Sequence, residues 1–126
     1  MRLNQVTVGA TDFDESVAFY RLLGLRLIVS SRGEYARFEL PDGDATFSIH
    51  LQDAVAPNGP LIYFEVEALD ETVERLQRQG IVFSSEATDQ PWLWREARLS
   101  DPAGNPLCLY WAGANRRHPP WRVDPA

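Results

Sequence analysis

The sequence predicts an α+β chain built from two tandem βαβββ modules, whose curved sheets form a barrel-like cavity with the helices outside. The first observation behind this is an internal repeat. DFDESVAFYRLLGL returns as ALDETVERLQRQGI, with Asp14-Glu15-Ser16-Val17 falling on Asp70-Glu71-Thr72-Val73 at an offset of 56; the same register carries Phe13 onto Leu69, Tyr20 onto Leu76 and Gly24 onto Gly80. The second is patterning: strand-like alternation precedes each copy, and further strand-like segments follow it. The third is size. A chain of 126 residues holds one good core but not two independent domains, so the copies must share it. A single βαβββ unit cannot bury both its helix face and the second face of its sheet, which is why two must combine with concave faces turned together.

In the first copy, Val6 and Val8 of QVTVGA alternate with Gln5 and Thr7, the period of a strand with one face on a core. Phe13, Val17, Tyr20 and Leu23 or Gly24 then recur at spacings of three and four, giving one apolar helical face, with Asp12, Asp14 and Glu15 at the positive N-terminus. Gly24 stops the helix, because glycine enters the left-handed conformation without a Cβ penalty. LRLIVSS, YARFEL and TFSIHL follow as strands, the last two separated by the turn PDGD.

The second copy has the same grammar. LIYFEVE is its first strand, Leu69, Val73 and Leu76 form the apolar helix face, and Gly80 is the stop. Strands near IVFSS, WREARLS and LCLYW complete it, with DPAGN in the place of PDGD. Gly43 to Gly104 is an offset of 61, so this copy has gained residues, most economically in ATDQPWLW. The expected organisation is one domain overall: a first module over 1–53, a Pro/Gly-rich connector over 54–60, a second module over 61–111 and an extended tail over 112–126.

Composition narrows the chemistry. A net charge of −6 argues against nucleic acid as a partner, since phosphate backbones are held by clustered cations. All 12 basic residues are arginine; without lysine there is neither Schiff-base chemistry nor a Gly-Lys-Ser/Thr phosphate loop. Gly-x-Ser-x-Gly, Cys-x-x-Cys and His-Glu-x-x-His are absent, and only two histidines exist. No apolar run reaches membrane-spanning length, so no membrane partner is expected. MRLNQVTVGA does not read as a signal peptide, and Cys108, the single cysteine, allows no internal disulfide; the expected compartment is the cytoplasm.

QVTVGATDFDESVAFYRLLGL, YFEVEALDETVERLQRQGI and DPAGNPLCLYW together resemble the vicinal oxygen chelate superfamily, which includes glyoxalase I, extradiol dioxygenases and the fosfomycin- and bleomycin-resistance proteins. The resemblance extends to Trp111, and Asp-Pro-x-Gly-Asn before the last strand is its most specific element. It implies the paired-module fold but no particular reaction, because one fold hosts many functions. Metalloenzymes of the superfamily hold a divalent ion with residues from the first and last strands of both modules. The matching positions here are Gln5, which some glyoxalase-like members use, about Ser48, Leu61 and Cys108, which replaces the usual glutamate. Leucine cannot ligate, and a thiol with a glutamine suits hard cations poorly, so the usual metal site is expected to be lost and no cofactor is expected. The alternative is a divalent transition metal on a shifted Gln5, His50 and Glu65 set, serving a lyase or dioxygenase. The resemblance also implies a homodimer, since such proteins often build each cavity from modules of two chains.

Strand parity assigns a candidate binding surface. If Ile62, Phe64 and Val66 pack under the helix, then Leu61, Tyr63 and Glu65 face the cavity, with Gln5, Thr7, Ser48, His50, Cys108 and Tyr110, and with Trp94, Glu96 and Arg98 if Ala97 and Leu99 face the helix. So polar an interior implies a small-molecule ligand, aromatic or polar-aromatic. His50 and Glu65 are the candidate catalytic pair. His50 is either an edge histidine or a ligand contact and general base, and Glu65 either pairs with Arg98 or Arg95 or meets the substrate. Trp92 and Trp94 of PWLW are either an aromatic wall or packing residues; Cys108 reads as a small apolar filler. RRHPPWR is either a tail anchored by Trp121 or a lid.

Overall fold

The computed structural model describes residues 1–124, which form eight strands and two α-helices. Strand β1 is Gln5–Ala10, helix α1 Phe13–Leu22, and β2, β3 and β4 are Arg26–Ser31, Tyr35–Glu39 and Thr46–Leu51. The second copy gives β5 Ile62–Glu65, α2 Leu69–Arg78, β6 Thr88–Asp89, β7 Arg95–Ser100 and β8 Pro106–Trp111. The sheets run β1-β4-β3-β2 and β5-β8-β7-β6, the same order twice, and neither closes on itself. In both, the first and last strands of the module are parallel neighbours, and the chain between them passes through the helix and the two remaining strands. The tandem βαβββ reading therefore holds.

The repeat is written into the helix ends. Asp12 caps α1 by accepting a 3.0 Å hydrogen bond from the Glu15 amide, satisfying one orphan donor of the first turn. Gly24 and Gly80 stand at φ 103° and 95°, and the following amides of Leu25 and Ile81 return to the carbonyls of Tyr20 and Leu76. The helix faces are not equivalent. In α2 the buried residues are Leu69, Val73 and Leu76, as the periodicity predicts. In α1 they are Ser16, Phe19 and Tyr20, so the helix is turned away from the Phe13–Val17 stripe, with the small Ser16 side chain against the core and Phe13 and Val17 only half-buried.

The chain divides into two compact units. One comprises residues 1–60 together with 100–105; the other comprises 61–99 and the chain from Pro106 onward. The core of the first lies between α1 and its sheet: Val8, Ala10, Ala36, Phe38, Phe47 and Ile49 are buried under Phe19 and Tyr20, and the Tyr20 ring lies 4.6 Å from that of Phe47 and 5.9 Å from that of Phe38. The Asp101–Asn105 turn completes this unit. Asp101 Oδ2 accepts a 2.6 Å hydrogen bond from the buried Tyr20 hydroxyl, and Asn105 Nδ2 donates to the Gly9 carbonyl at 2.8 Å. A Cβ at Gly9 would lie 2.7 Å from the Gln52 side-chain oxygen and 3.0 Å from Val55, so a larger residue there would displace the Gln52 side chain. In the second unit Phe64, Leu69, Val73, Leu76, Ala97, Leu99, Leu107 and Leu109 are the buried apolar residues between helix and sheet.

Two local expectations are corrected. IVFSS is not a strand: Phe83 makes only an isolated bridge to Leu99, and the two-residue β6, within the inserted ATDQPWLW segment, takes the outer place in the sheet. The tail is not extended throughout, because Gly113–Arg116 forms a 3₁₀ turn.

Candidate functional site

Alternation leaves each sheet one face without a helix, and both faces carry polar side chains. On the first sheet the register aligns Thr7 with Ser48, Arg37 with Ser48 and Tyr35 with His50. Directly opposed residues share a face, so Gln5, Thr7, Tyr35, Arg37, Thr46, Ser48 and His50 lie together on the side away from Val8, Phe38, Phe47 and Ile49.

This face is a connected hydrogen-bond network. Gln5 Nε2 donates to Ser48 Oγ at 2.6 Å, and Gln5 Oε1 accepts from Thr46 Oγ1. Ser48, fully buried, meets the Tyr35 hydroxyl at 2.8 Å, and Arg37 Nε donates to that hydroxyl at 2.9 Å. The hydrogen bond from Ser48, with help from Arg37, draws the Tyr35 phenol below its ordinary pKa against the opposing effect of burial. Tyr35 and Arg37 were not among the sequence candidates. The signal was present: in YARFE they alternate with the buried Ala36 and Phe38, the same parity that picked out Ser48 and His50.

On the second sheet, Tyr63 opposes Cys108 and Glu65 opposes Tyr110. Trp94 stacks on Tyr110 with ring centroids 4.7 Å apart and 24° between planes, and Tyr63 meets both edge-on at 5.8 and 5.4 Å. Leu61 and Trp94 pack against Cys108, Tyr110 and Ala112. Beside the rings, Glu96 is 98% buried yet fully engaged: Oε2 accepts from the Trp92 indole at 2.6 Å and Oε1 from Arg98 at 3.0 Å. The Cys108 thiol lies next to this pair. Burial, with Glu96 adding to it, pushes its pKa up to about 11, so it is a protonated filler and not a nucleophile at neutral pH.

The two candidate catalytic residues, Glu65 and His50, are placed as follows. Glu65 pairs with neither Arg98 nor Arg95. Its Oε2 accepts from the backbone amides of Ala112 and Gly113 at 2.9 and 3.0 Å, and Oε1 lies 3.9 Å from Arg116 Nε. Arg98 is taken by Glu96, and Arg95 bridges Asp70 and Asp89 at 3.0 Å each. Glu65 thus holds the start of the 3₁₀ turn, whose orphan amides need an acceptor. His50 is exposed near the end of β4.

The donor chemistry does not fit the superfamily's metal. At the matching positions Leu61 has no lone pair, Cys108 carries a strongly held proton, and the Gln5 amide is committed to Thr46 and Ser48. The shifted set fares no better. Gln5 is level with Thr46 and His50 with Gly9, four residues along the sheet, or roughly 13 Å. Among the described residues no three His, Cys, Asp or Glu side chains gather as a metal-binding group. No helix of the described residues is long and apolar enough to cross a membrane.

Comparison with known proteins agrees with the doubled topology. A family model described as the Glyoxalase/Bleomycin resistance protein/Dioxygenase superfamily matches residues 2–109. No curated protein sequence matches the chain significantly. Among solved structures, a glyoxalase/bleomycin resistance protein/dioxygenase from Nocardioides is 24% identical, with a TM-score of 0.75 over 98% of this chain and 90% of that one. Lactoylglutathione lyase from Agrobacterium tumefaciens is 21% identical, with a TM-score of 0.72 over 87% and 92%. A family enzyme from Burkholderia phytofirmans is 19% identical, with a TM-score of 0.74 over 89% and 99%. At these identities the likeness is one of fold. With the family model spanning most of the sequence, the chain belongs to the glyoxalase/bleomycin resistance protein/dioxygenase superfamily.

Proposed function

We propose that this protein binds a small polar-aromatic molecule on the helix-free face of its second sheet, as a binding protein or cofactorless enzyme that does without the superfamily's metal. The observation that carries the reading is the Tyr63, Trp94 and Tyr110 ring cluster set against the ion pair of buried Glu96 with half-exposed Arg98. Tyr63 is 42% exposed, so the cluster presents aromatic surface and is not sealed core. A planar ligand stacked there gains area burial and about 0.5–1.5 kcal/mol of ring interaction. Arg98, half-exposed, supplies the polar contact. Leu61 and Cys108 contribute apolar floor where a metalloenzyme would place ligands. Gln5, Thr7, Ser48 and His50, on the first sheet, remain candidate ligand contacts. Cytoplasmic residence and a homodimeric state belong to the same proposal.

Calorimetric titration with 2-naphthol, against cyclohexanol as the non-aromatic comparison, tests it. Trp94→Ala is expected to weaken 2-naphthol binding about ten-fold, and Trp121→Ala to leave it unchanged. Equal affinities for the two alcohols, or for the two variants, would overturn the assignment. Elemental analysis of protein purified without chelator is expected to find well under one equivalent of transition metal per chain. Stoichiometric metal lost in Gln5→Ala or His50→Ala would replace this reading with a metal-dependent lyase or dioxygenase.

A further inference from the structure

The hydrogen-bond accounts of the first sheet do not balance internally. Ser48 Oγ accepts from Gln5 Nε2, and the Tyr35 oxygen accepts from Arg37 Nε. One proton serves the 2.8 Å contact between the two hydroxyls, so one hydroxyl proton is left over. Ser48 is fully buried and Tyr35 is only half-buried. An unsatisfied donor is costly in the interior and costs little where it can be met from outside. Ser48 therefore donates inward to Tyr35, and the Tyr35 hydroxyl proton points outward. The lowered pKa of this phenol is consistent with an oxygen that receives two donors.

Arg37 leaves a matching surplus. Its Nε is spent on Tyr35, and its Cζ sits over the Tyr35 ring, 5.5 Å from the centroid. Both terminal nitrogens remain, and no carboxylate among the described residues pairs with them. Glu39, further along the same strand, is directed to Arg26 at 3.6 Å. Every other arginine bonded on a sheet face in this protein, Arg26, Arg95 and Arg98, has a carboxylate within 4 Å.

We propose that this face is an oxyanion-binding site, in which the two terminal nitrogens of Arg37 and the outward hydroxyl of Tyr35 receive a carboxylate or phosphoryl group of a small molecule. Three donors on one sheet face suit such a group, and the two terminal nitrogens of a guanidinium offer the bidentate geometry both oxyanions accept. These donors lie on the first sheet and the aromatic cluster on the second, and the inference does not depend on the cluster's role, so the probes chosen here carry no ring.

The test is a titration followed on the ¹H–¹⁵N side-chain signals of the arginine Nε groups, at constant ionic strength, with acetate, acetamide and inorganic phosphate. Acetate or phosphate is expected to shift the Arg37 Nε signal saturably, at concentrations at least ten-fold below those that affect the unpaired surface arginine Arg32. Acetamide, isosteric with acetate but neutral, should not. Whichever anion binds more tightly identifies a carboxylate or a phosphoryl group as the natural moiety. Tyr35→Phe, which keeps the ring and loses the outward donor, should weaken binding several-fold, and Arg37→Gln should abolish it. Trp94→Ala should leave anion binding intact while weakening 2-naphthol about ten-fold, which separates failure of one reading from failure of the other. An Arg37 signal that responds no more strongly than that of Arg32, responds equally to acetamide, or is unaffected by Tyr35→Phe would overturn the proposal.

Discussion

The Tyr20 hydroxyl donates a 2.6 Å hydrogen bond to Asp101 Oδ2 across 81 residues of sequence, from the first helix to the turn that precedes the last strand. Asp101 also accepts from the Ala103 and Asn105 amides and from Asn105 Nδ2, so one carboxylate both folds its own turn and fixes that turn to α1. The Asp-Pro-x-Gly-Asn sequence is thus a structural joint of the first compact unit.

Alkaline stability reports on this joint. Burial, reinforced by Asp101, raises the Tyr20 phenol above its ordinary 10.0, so above that pH the unfolded chain loses a proton that the folded chain keeps. The unfolded state then binds fewer protons, and stability falls as pH rises, by up to about 1.4 kcal/mol per unit for one group. Tyr20→Phe is expected to cost about 1–2 kcal/mol at pH 7 and to flatten the decline above pH 10. Denaturant melts at pH 7, 10 and 11 measure both; parallel declines in the two proteins would contradict the assignment.

Cys108 is expected to be inert in the native protein. Its thiol is fully buried, with its pKa pushed up to about 11, so at pH 8 a disulfide reagent should label it at least 100-fold more slowly than in guanidinium, where one thiol per chain should react. Rapid native labelling would mean that this face opens.

Glu65→Ala should act on the tail. Removing the acceptor of the Ala112 and Gly113 amides is expected to destabilise the 3₁₀ turn and to raise hydrogen exchange at both amides ten-fold or more, at a cost of about 1–2 kcal/mol in stability. Binding of 2-naphthol should change much less than in Trp94→Ala. Unchanged exchange would contradict this structural role of Glu65.

Sedimentation at micromolar concentration is expected to show a species of about twice the 14.3 kDa chain mass, in keeping with the proposed homodimer. A single species at the chain mass would exclude it.

The repeat, the strand and helix order, the glycine stops and the two-faced character of the sheets were legible in the sequence, because each depends on periodicity over a few residues or on φ at one position. Parity alone placed Tyr63, Trp94, Glu96, Arg98, Cys108 and Tyr110 on one face, and the register agrees where it pairs Tyr63 with Cys108. The family, too, could be read from motifs before any coordinate. Where periodicity was weak the reading failed in part: IVFSS has the composition of a strand, but its segment reaches the sheet only at Phe83, and α1 buries Tyr20 of its expected stripe together with Ser16 and Phe19, while Phe13 and Val17 stay half-buried.

What the tertiary structure decided is which polar group meets which. Glu65, Glu96, Arg95 and Arg98 all read as charges on neighbouring strands, and nothing local says that Glu96 takes Arg98 and Trp92 while Glu65 turns to the amides of residues 112 and 113. Nor does local pattern say that Arg37 keeps two nitrogens free, or that Asp101 closes on Tyr20. Alternation chooses a face for each side chain, because the pleat has a period of two. Partners on that face depend on register and on packing across tens of residues, where an unsatisfied buried group costs enough to select one arrangement from several that the sequence allows.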